Sequence, residues 1–160
     1  MRKTRKLIQW VSVPAILGAV AIQFVRPART NPATIPERTL AARVPVGSEA
    51  AAVLDRACRD CHSNDTRWPW YSHVAPVSWF VIDHVNHGRR HLNYSDWAQY
   101  RRDDAERLLK NVCAFAKKDT MPLPSYLRVH REARLTDADV AALCDWTEVT
   151  LRAGMVNGEW

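Results

Sequence analysis

Three residues near the middle of the chain have the types and spacing needed to hold a cofactor covalently: Cys58, Cys61 and His62 form the pattern C-x-x-C-H. This pattern is typical of c-type haem attachment. Two thiols on one helical turn can each form a thioether with a haem vinyl group, and the adjacent imidazole then lies under the iron. The sequence therefore predicts one covalent haem c per chain, with His62 as the proximal iron ligand.

The motif also admits two plainer interpretations, a redox-active dithiol and half of a zinc site. A thioredoxin-like dithiol is expected in a βαβ context, whereas the residues around Cys58 favour helix. A zinc site needs two further ligands at short spacing, and Cys113 and Cys144 stand alone. These two cysteines can form a disulfide in an oxidising compartment or remain buried thiols. Haem attachment is the favoured interpretation because it also accounts for His62.

A six-coordinate haem needs a second axial ligand, usually Met or His. Met121 is the favoured candidate because Pro122 and Pro124 would limit the motion of its loop. The alternatives are a histidine, chiefly His84 and then His130, or an open sixth position.

Other side chains are candidates for the surroundings of the haem. Trp68, Trp70 and Tyr71 follow the motif, and their flat faces suit a porphyrin edge, although they can also be ordinary core aromatics. Arg89 and Arg90 can pair with haem propionates or remain solvated.

A histidine trio lies further along the chain. If one helix continues through Gly88, His84, His87 and His91 share a face, and they can then bind a transition metal or be ordinary packed and solvated histidines.

The first 25 residues have the composition of an export signal. Residues 2–6 carry four basic side chains, and residues 7–25 carry no charged one over about the length of a membrane-spanning helix. Residues 1–25 are interpreted as a signal anchor, or as a signal peptide cut near Ala19-Val20-Ala21, with the anchor favoured. The positive-inside rule then places the rest of the chain in the periplasm, either held at the inner membrane through residues 7–25 or free after cleavage. Export agrees with haem attachment, which takes place outside the cytoplasm.

The net charge of +6 comes entirely from residues 1–30, that is, from the leader and the five residues after it. Residues 1–30 hold six basic and no acidic side chains, so 17 basic residues remain to balance the 17 acidic ones. The exported part therefore lacks the positive excess that a nucleic-acid-binding protein needs.

The remaining sequence predicts a small helical domain. Residues 26–47, with four prolines, are interpreted as a tether, residues 48–153 as the haem-binding domain, and residues 154–160 as a C-terminal tail. Apolar residues recur at helical spacing after Ser48, Pro76, Ala105 and Thr136, and no segment alternates with period two. The predicted fold is all-α, a small cytochrome c-like helical domain with an N-terminal transmembrane or signal helix.

Several motifs occur along the chain between residues 58 and 130. They are Cys58-x-x-Cys61-His62-Ser63-Asn64, Trp68-Pro69-Trp70-Tyr71-Ser72, Ala75-Pro76-Val77-Ser78-Trp79, His84-Val85-x-x-Gly88-Arg89, Leu92-Asn93-Tyr94-Ser95-x-Trp97, and Met121-Pro122 followed by Tyr126 and His130. Together they resemble the bacterial haem-binding domain family over roughly residues 30–150. The resemblance implies a membrane-anchored or exported c-type haem domain whose order of elements is similar to small monohaem cytochromes c. Leu123 and Arg131 stand where the family often has proline.

The sequence thus predicts an exported, membrane-anchored monohaem cytochrome that passes electrons to redox partner proteins of the exported compartment. The alternative is a haem-based sensor or small-ligand-binding module with an open or labile sixth position. Enzymatic activity is not expected, because peroxidase chemistry would require an open iron and a distal acid or base such as His84, of which the sequence gives no independent sign.

Overall fold

A computed structural model describes residues 2–156, and side chains from residue 10 onward. Within this part every regular element is helical, which confirms the all-α prediction. The α-helices are α1 (Arg2–Ala21), α2 (Leu40–Arg43), α3 (Ser48–Ala57), α4 (Arg59–His62), α5 (Val77–His91), α6 (Arg102–Lys117), α7 (Pro124–Leu127) and α8 (Asp137–Arg152). Short 3₁₀ turns join several of them, including Trp70–His73 and Tyr94–Gln99.

The core lies where α8 packs against both α3 and α6. Each of these helices buries an apolar stripe at helical spacing, for example Ala50, Val53 and Ala57 on α3. Cys113 and Cys144 form a disulfide that joins α6 to α8. Of the two predicted alternatives, a disulfide or two buried thiols, the disulfide is therefore the one found. At the start of α8, Thr136 and Asp139 form the predicted capping box.

Helix α5 runs through Gly88 and ends at His91, and it packs on α4, the turn that carries the cysteine motif. Gly88 faces the backbone of Cys61. A Cβ atom at position 88 would lie 2.5 Å from the Cys61 carbonyl oxygen, closer than real Cβ contacts come. A glycine is therefore required for the two helices to approach this closely.

The structure differs from the predicted tether over residues 26–47. Leu40 and Val44 are only 4% and 1% exposed and belong to the core. Leu40 is the first residue of α2, and Val44 is the residue directly after its end. Burying each of these side chains stabilises the folded state by about 1.5–3 kcal/mol. The indole of Trp146 also donates to the Pro45 carbonyl oxygen at 2.8 Å. The prediction of a tether, which was based on proline and glycine content, is therefore wrong, because this segment is part of the folded domain.

The predicted tail from residue 154 also begins too early. Val156 is 1% exposed, and its carbonyl oxygen accepts a 2.8 Å hydrogen bond from the indole of the fully buried Trp97. The chain therefore stays in the core through residue 156, while residues 157–160 lie outside the described part.

Helix α1 does not support the predicted transmembrane helix. It opens with the basic cluster of residues 2–6 and contains Pro14, so its apolar stretch is shorter than its 20 residues. Among residues 2–156, no helix has the length and apolar character needed to cross a bilayer. Beyond α1, the Gln23 side-chain amide exchanges two hydrogen bonds with the backbone of Ala75, and the Trp79 indole donates to the Val25 carbonyl oxygen.

The contact at Gly88 makes a testable prediction. The change Gly88→Ala should lower the free energy of unfolding by about 1–3 kcal/mol, because the clash with the Cys61 carbonyl outweighs the better helix propensity of alanine. Denaturant unfolding of the full-length protein measures this. Gly47→Ala is the control, since a Cβ there meets nothing within 4 Å, and its effect should stay below about 1 kcal/mol. Equal stability of Gly88→Ala and the parent protein would show that α4 and α5 do not pack this closely.

Candidate cofactor site

The cysteine motif lies in the wall of a large cavity. The cavity has a volume of about 620 Å³, within the range of about 300–1,000 Å³ that is usual for small-molecule sites. Cys58, Cys61 and His62 all line it, and much of the remaining wall is apolar, including Leu108, Val112, Phe115, Leu123 and Leu143.

The local backbone explains why these three side chains reach one cavity. Helix α3 ends at Ala57, and Cys58 adopts a non-helical conformation before the one-turn helix α4. The Cys58 carbonyl oxygen accepts from the amides of Cys61 at 3.3 Å and of His62 at 3.0 Å. The motif is thus a single closed turn, which is the arrangement predicted from its spacing.

Both cysteines of the motif are free thiols. Burial raises the pKa of the Cys58 thiol to about 12 and that of the Cys61 thiol to about 11. Each group is therefore protonated at neutral pH, unlike the low-pKa thiolate of a redox-active dithiol.

His62 is held in a defined tautomer. Its Nδ1 lies 3.0 Å from the Leu92 carbonyl oxygen, which can only accept, so Nδ1 carries the proton and the Nε2 lone pair is left free. Burial lowers the pKa of His62, and the hydrogen bonds with the backbone of Leu92 and Gly88 only partly offset this effect. A neutral imidazole whose second nitrogen donates to a carbonyl is the usual form of a metal-bound histidine.

The two preferred candidates for a second iron ligand also line this cavity. Met121 lies in the loop after α6, with its side chain 37% exposed. His84 lies on α5, and its Nδ1 donates to the Phe80 carbonyl oxygen at 2.8 Å, again leaving Nε2 free. The third candidate, His130, is not in the cavity wall and instead bonds Tyr71 and Glu132.

The histidine trio of α5 shares one face, because the helix continues through Gly88, and His87 and His91 also line the cavity. His87 Nε2 lies 2.9 Å from His91 Nε2, and Arg90 donates to His87 Nδ1. Over residues 2–156, no group of three or more His, Cys, Asp or Glu side chains is arranged to hold a metal ion. The predicted alternative of a transition-metal trio therefore finds no support.

The predicted aromatic contacts lie elsewhere in the structure. Trp68, Trp70 and Tyr71 are absent from the cavity wall. The Trp68 indole donates to the Asn31 side chain, Trp70 is 78% exposed, and the Tyr71 hydroxyl lies 2.7 Å from His130 Nε2. Partners more than 30 residues away thus orient two of these rings, which proximity to the motif could not reveal.

Asp60 and Tyr126 also contribute to the site, although the sequence predicted no site role for either. Tyr126 lines the cavity, and its hydroxyl donates to the Asp60 carboxylate at 2.8 Å. The other Asp60 oxygen accepts from the backbone and side chain of Arg67. Asp60 lies between the two cysteines, so these bonds fix the turn that carries them. The position of Asp60 between the two cysteines is the sequence feature that could have indicated its role.

Arg89 has neither of the two roles considered for it. Its guanidinium donates to the carbonyl oxygens of Ser63 and Thr30, to the Asn31 side chain and to the Thr66 hydroxyl, at 2.7–3.0 Å. It therefore joins α5, the residue after the motif and the N-terminal segment. These donors are used within the protein rather than offered to a propionate.

Comparison with known proteins gives one match. The family described as "Haem-binding domain" matches residues 17–149, which confirms the resemblance found in the sequence. No curated protein and no solved structure shows a significant match, so the cytochrome c-like part of the fold prediction stays a prediction. The site fits haem, because an apolar cavity, two free thiols and one neutral imidazole with a free Nε2 occur together.

The role of Arg89 can be tested by substitution. Arg89→Ala should lower the free energy of unfolding by about 2–4 kcal/mol, because four charge-assisted hydrogen bonds are lost and two partly buried acceptors, on Ser63 and Thr66, lose this donor. The neighbouring Arg90→Ala, which removes one exposed contact with His87, should cost less than about 1 kcal/mol. Denaturant titration measures the free energy of unfolding of both variants. Equally small losses of stability in Arg89→Ala and Arg90→Ala would refute the structural role of Arg89.

Proposed function

The chain belongs to the haem-binding domain family, and from this premise we propose that it is an exported monohaem c-type cytochrome that transfers electrons. The observation that carries the proposal is the convergence of Cys58, Cys61 and His62 on one apolar cavity, with the His62 Nδ1 held by the Leu92 carbonyl oxygen. Two free thiols beside a neutral imidazole are the groups that covalent attachment of one haem requires.

The residues of the chain would hold and tune the cofactor rather than carry out bond chemistry. Bound haem supplies a one-electron couple at its iron. Cys58 and Cys61 would fix its position, and His62 would be the proximal ligand, oriented by the Leu92 carbonyl. The apolar wall excludes water, which influences the reduction potential.

We propose Met121 as the second axial ligand and His84 as the alternative. Both side chains line the cavity, on the loop after α6 and on α5 respectively. The Met121 loop is closed by hydrogen bonds from the Thr120 and Met121 amides to the Phe115 carbonyl oxygen. Pro122 also lines the cavity and stiffens the loop.

A sensor or small-ligand-binding module is the second candidate function. The free Nε2 of His84 favours it, because a cavity imidazole can hydrogen-bond a small ligand at an open sixth position. Rapid, complete carbon monoxide binding to the reduced protein would support the sensor, and slow or absent binding would support the electron carrier. We propose no enzymatic turnover, and a peroxide assay with a reporter dye tests that.

Export is proposed on two features. The leader combines a basic cluster with an uncharged apolar run, and the Cys113–Cys144 disulfide suits an oxidising compartment such as the periplasm. Cleavage near Ala21 would release the domain, whereas an intact N-terminus would keep residues 7–25 for contact with the inner membrane. The mass of the mature chain, isolated from cells that make cytochromes c, distinguishes these outcomes.

Covalent attachment is tested with cysteine variants. The full-length protein, produced with haem-maturation machinery, should carry one haem that survives denaturation. Cys58→Ser with Cys61→Ser should lose this adduct, since no thiol remains to form a thioether. Cys113→Ser with Cys144→Ser is the matched control and should keep it. Denaturing mass spectrometry and a pyridine haemochrome spectrum give the readout, and an unmodified parent protein would contradict the proposal.

The second axial ligand is tested by comparing Met121→Ala with His84→Ala. If Met121 binds iron, the oxidised parent protein has a sulfur-to-iron charge-transfer band that only Met121→Ala removes, and this variant also gains carbon monoxide binding because a position opens. His84→Ala should leave both properties unchanged. Loss of six-coordination in His84→Ala alone would assign the position to His84 instead.

A further inference from the structure

A second, smaller cleft lies beside the loop that carries Met121. It has a volume of about 180 Å³ and is lined by Asp119, Pro124, Leu127, Arg128 and Arg134. Leu127 is buried beneath it, whereas Arg128 and Arg134 are exposed. The cleft is thus an open depression with two guanidinium groups at its surface.

These two arginines have no side-chain partner in the described part of the molecule. Several other arginines are paired, for example Arg38 with Asp96 and Arg56 with Asp139. No carboxylate of residues 10–156 lies within 4 Å of the Arg128 or Arg134 guanidinium, even though Asp119 borders the same cleft. Two unpaired guanidinium groups at one cleft favour an added carboxylate, which each can bind through two parallel hydrogen bonds.

The surroundings of the cleft add to its positive charge. Residues 117–134 hold five basic side chains against two acidic ones, whereas residues 31–160 balance at 17 of each sign. The remaining basic residues of this stretch, Lys117, Lys118 and Arg131, are all exposed. This stretch thus carries three more basic than acidic side chains, a local positive excess that can steer an acidic partner toward the cleft.

The cleft and the cofactor cavity share one wall. Asp119 and Pro124 border the cleft, while Met121, Pro122 and Leu123, which lie between them in sequence, line the cavity. A protein bound at the cleft would therefore lie against the loop that closes the cavity.

We propose that the Arg128–Arg134 cleft is the docking site for an acidic surface segment of a redox partner protein. This inference rests on the proposed electron-transfer function and names the chemistry of the partner for the same site. Carboxylates of the partner pair with the two guanidinium groups, and the surrounding lysines speed the encounter. Such redox encounters typically bury less than about 1,200 Å², so one cleft with a charged rim is sufficient.

The test uses the full-length, haem-loaded protein and an oligoglutamate peptide as the probe, at low ionic strength. Calorimetric titration should show binding that weakens steeply as salt is added. Arg128→Glu with Arg134→Glu should weaken it about tenfold or more, since two attractive contacts become repulsive. Arg128→Lys with Arg134→Lys should give an intermediate loss, because the charge stays and the paired hydrogen bonds are lost.

Lys110→Glu is the matched control, since Lys110 is an exposed cation of α6 outside the cleft and its surrounding basic stretch. It should change the affinity for the peptide less than about twofold. Equal losses in the control and the arginine variant, or no binding by the parent protein, would overturn the proposal. So would displacement of the peptide by inorganic phosphate at equal concentration, which would identify a small-anion site. Haem content and spectrum are recorded for each variant, so a failure of the haem assignment is seen separately from a failure of docking.

Discussion

The arrangement of the cofactor site depends on the close approach of α5 to the turn that carries the cysteine motif. This approach is possible because Gly88 has no side chain to meet the Cys61 carbonyl oxygen. Three consequences follow from the one contact. The Leu92 carbonyl, just beyond α5, reaches His62 Nδ1, Arg89 reaches the backbone of Ser63, and the face of α5 that carries His84 lines the cavity. A short turn of four residues thereby gains the rigidity that a metal ligand requires.

The opposite wall of the cavity comes from α6, the Met121 loop and α8, and it is built differently. The Cys113–Cys144 disulfide joins the two helices, and α8 also packs on α3, which leads directly into Cys58. Tyr126 links this side to the motif through its hydrogen bond to Asp60. The elements that line the cavity are therefore connected to the motif turn, either directly, as α5 and Tyr126 are, or through α8 and α3. This accounts for a site of well-defined shape in a small helical domain.

Local signals predicted some features well. The capping box at Thr136, the helical period of α5 and the closed turn of the motif each depend on residues within four positions of one another, so sequence spacing contains the information. The errors concern partners far apart in the chain. Arg89 binds Thr30, 59 residues away, and Trp68 binds Asn31, 37 residues away. A tether and a tail were predicted from composition, yet Val44 and Val156 are buried against helices that local patterns cannot place. The cavity wall formed by α6, the Met121 loop and α8 was predictable only in part. The residue type of Met121 identified it as a candidate ligand, whereas the hydrogen bond from Tyr126 to Asp60 could not be predicted from the sequence.

A crystal structure of the full-length protein, purified from cells that attach haem, tests the central claim most directly. The account predicts continuous electron density from the sulfur atoms of Cys58 and Cys61 to one haem macrocycle in the cofactor cavity. It also predicts His62 Nε2 bound to iron while Nδ1 keeps its hydrogen bond to the Leu92 carbonyl oxygen. Free cysteines at the motif, or iron bound without His62, would contradict it.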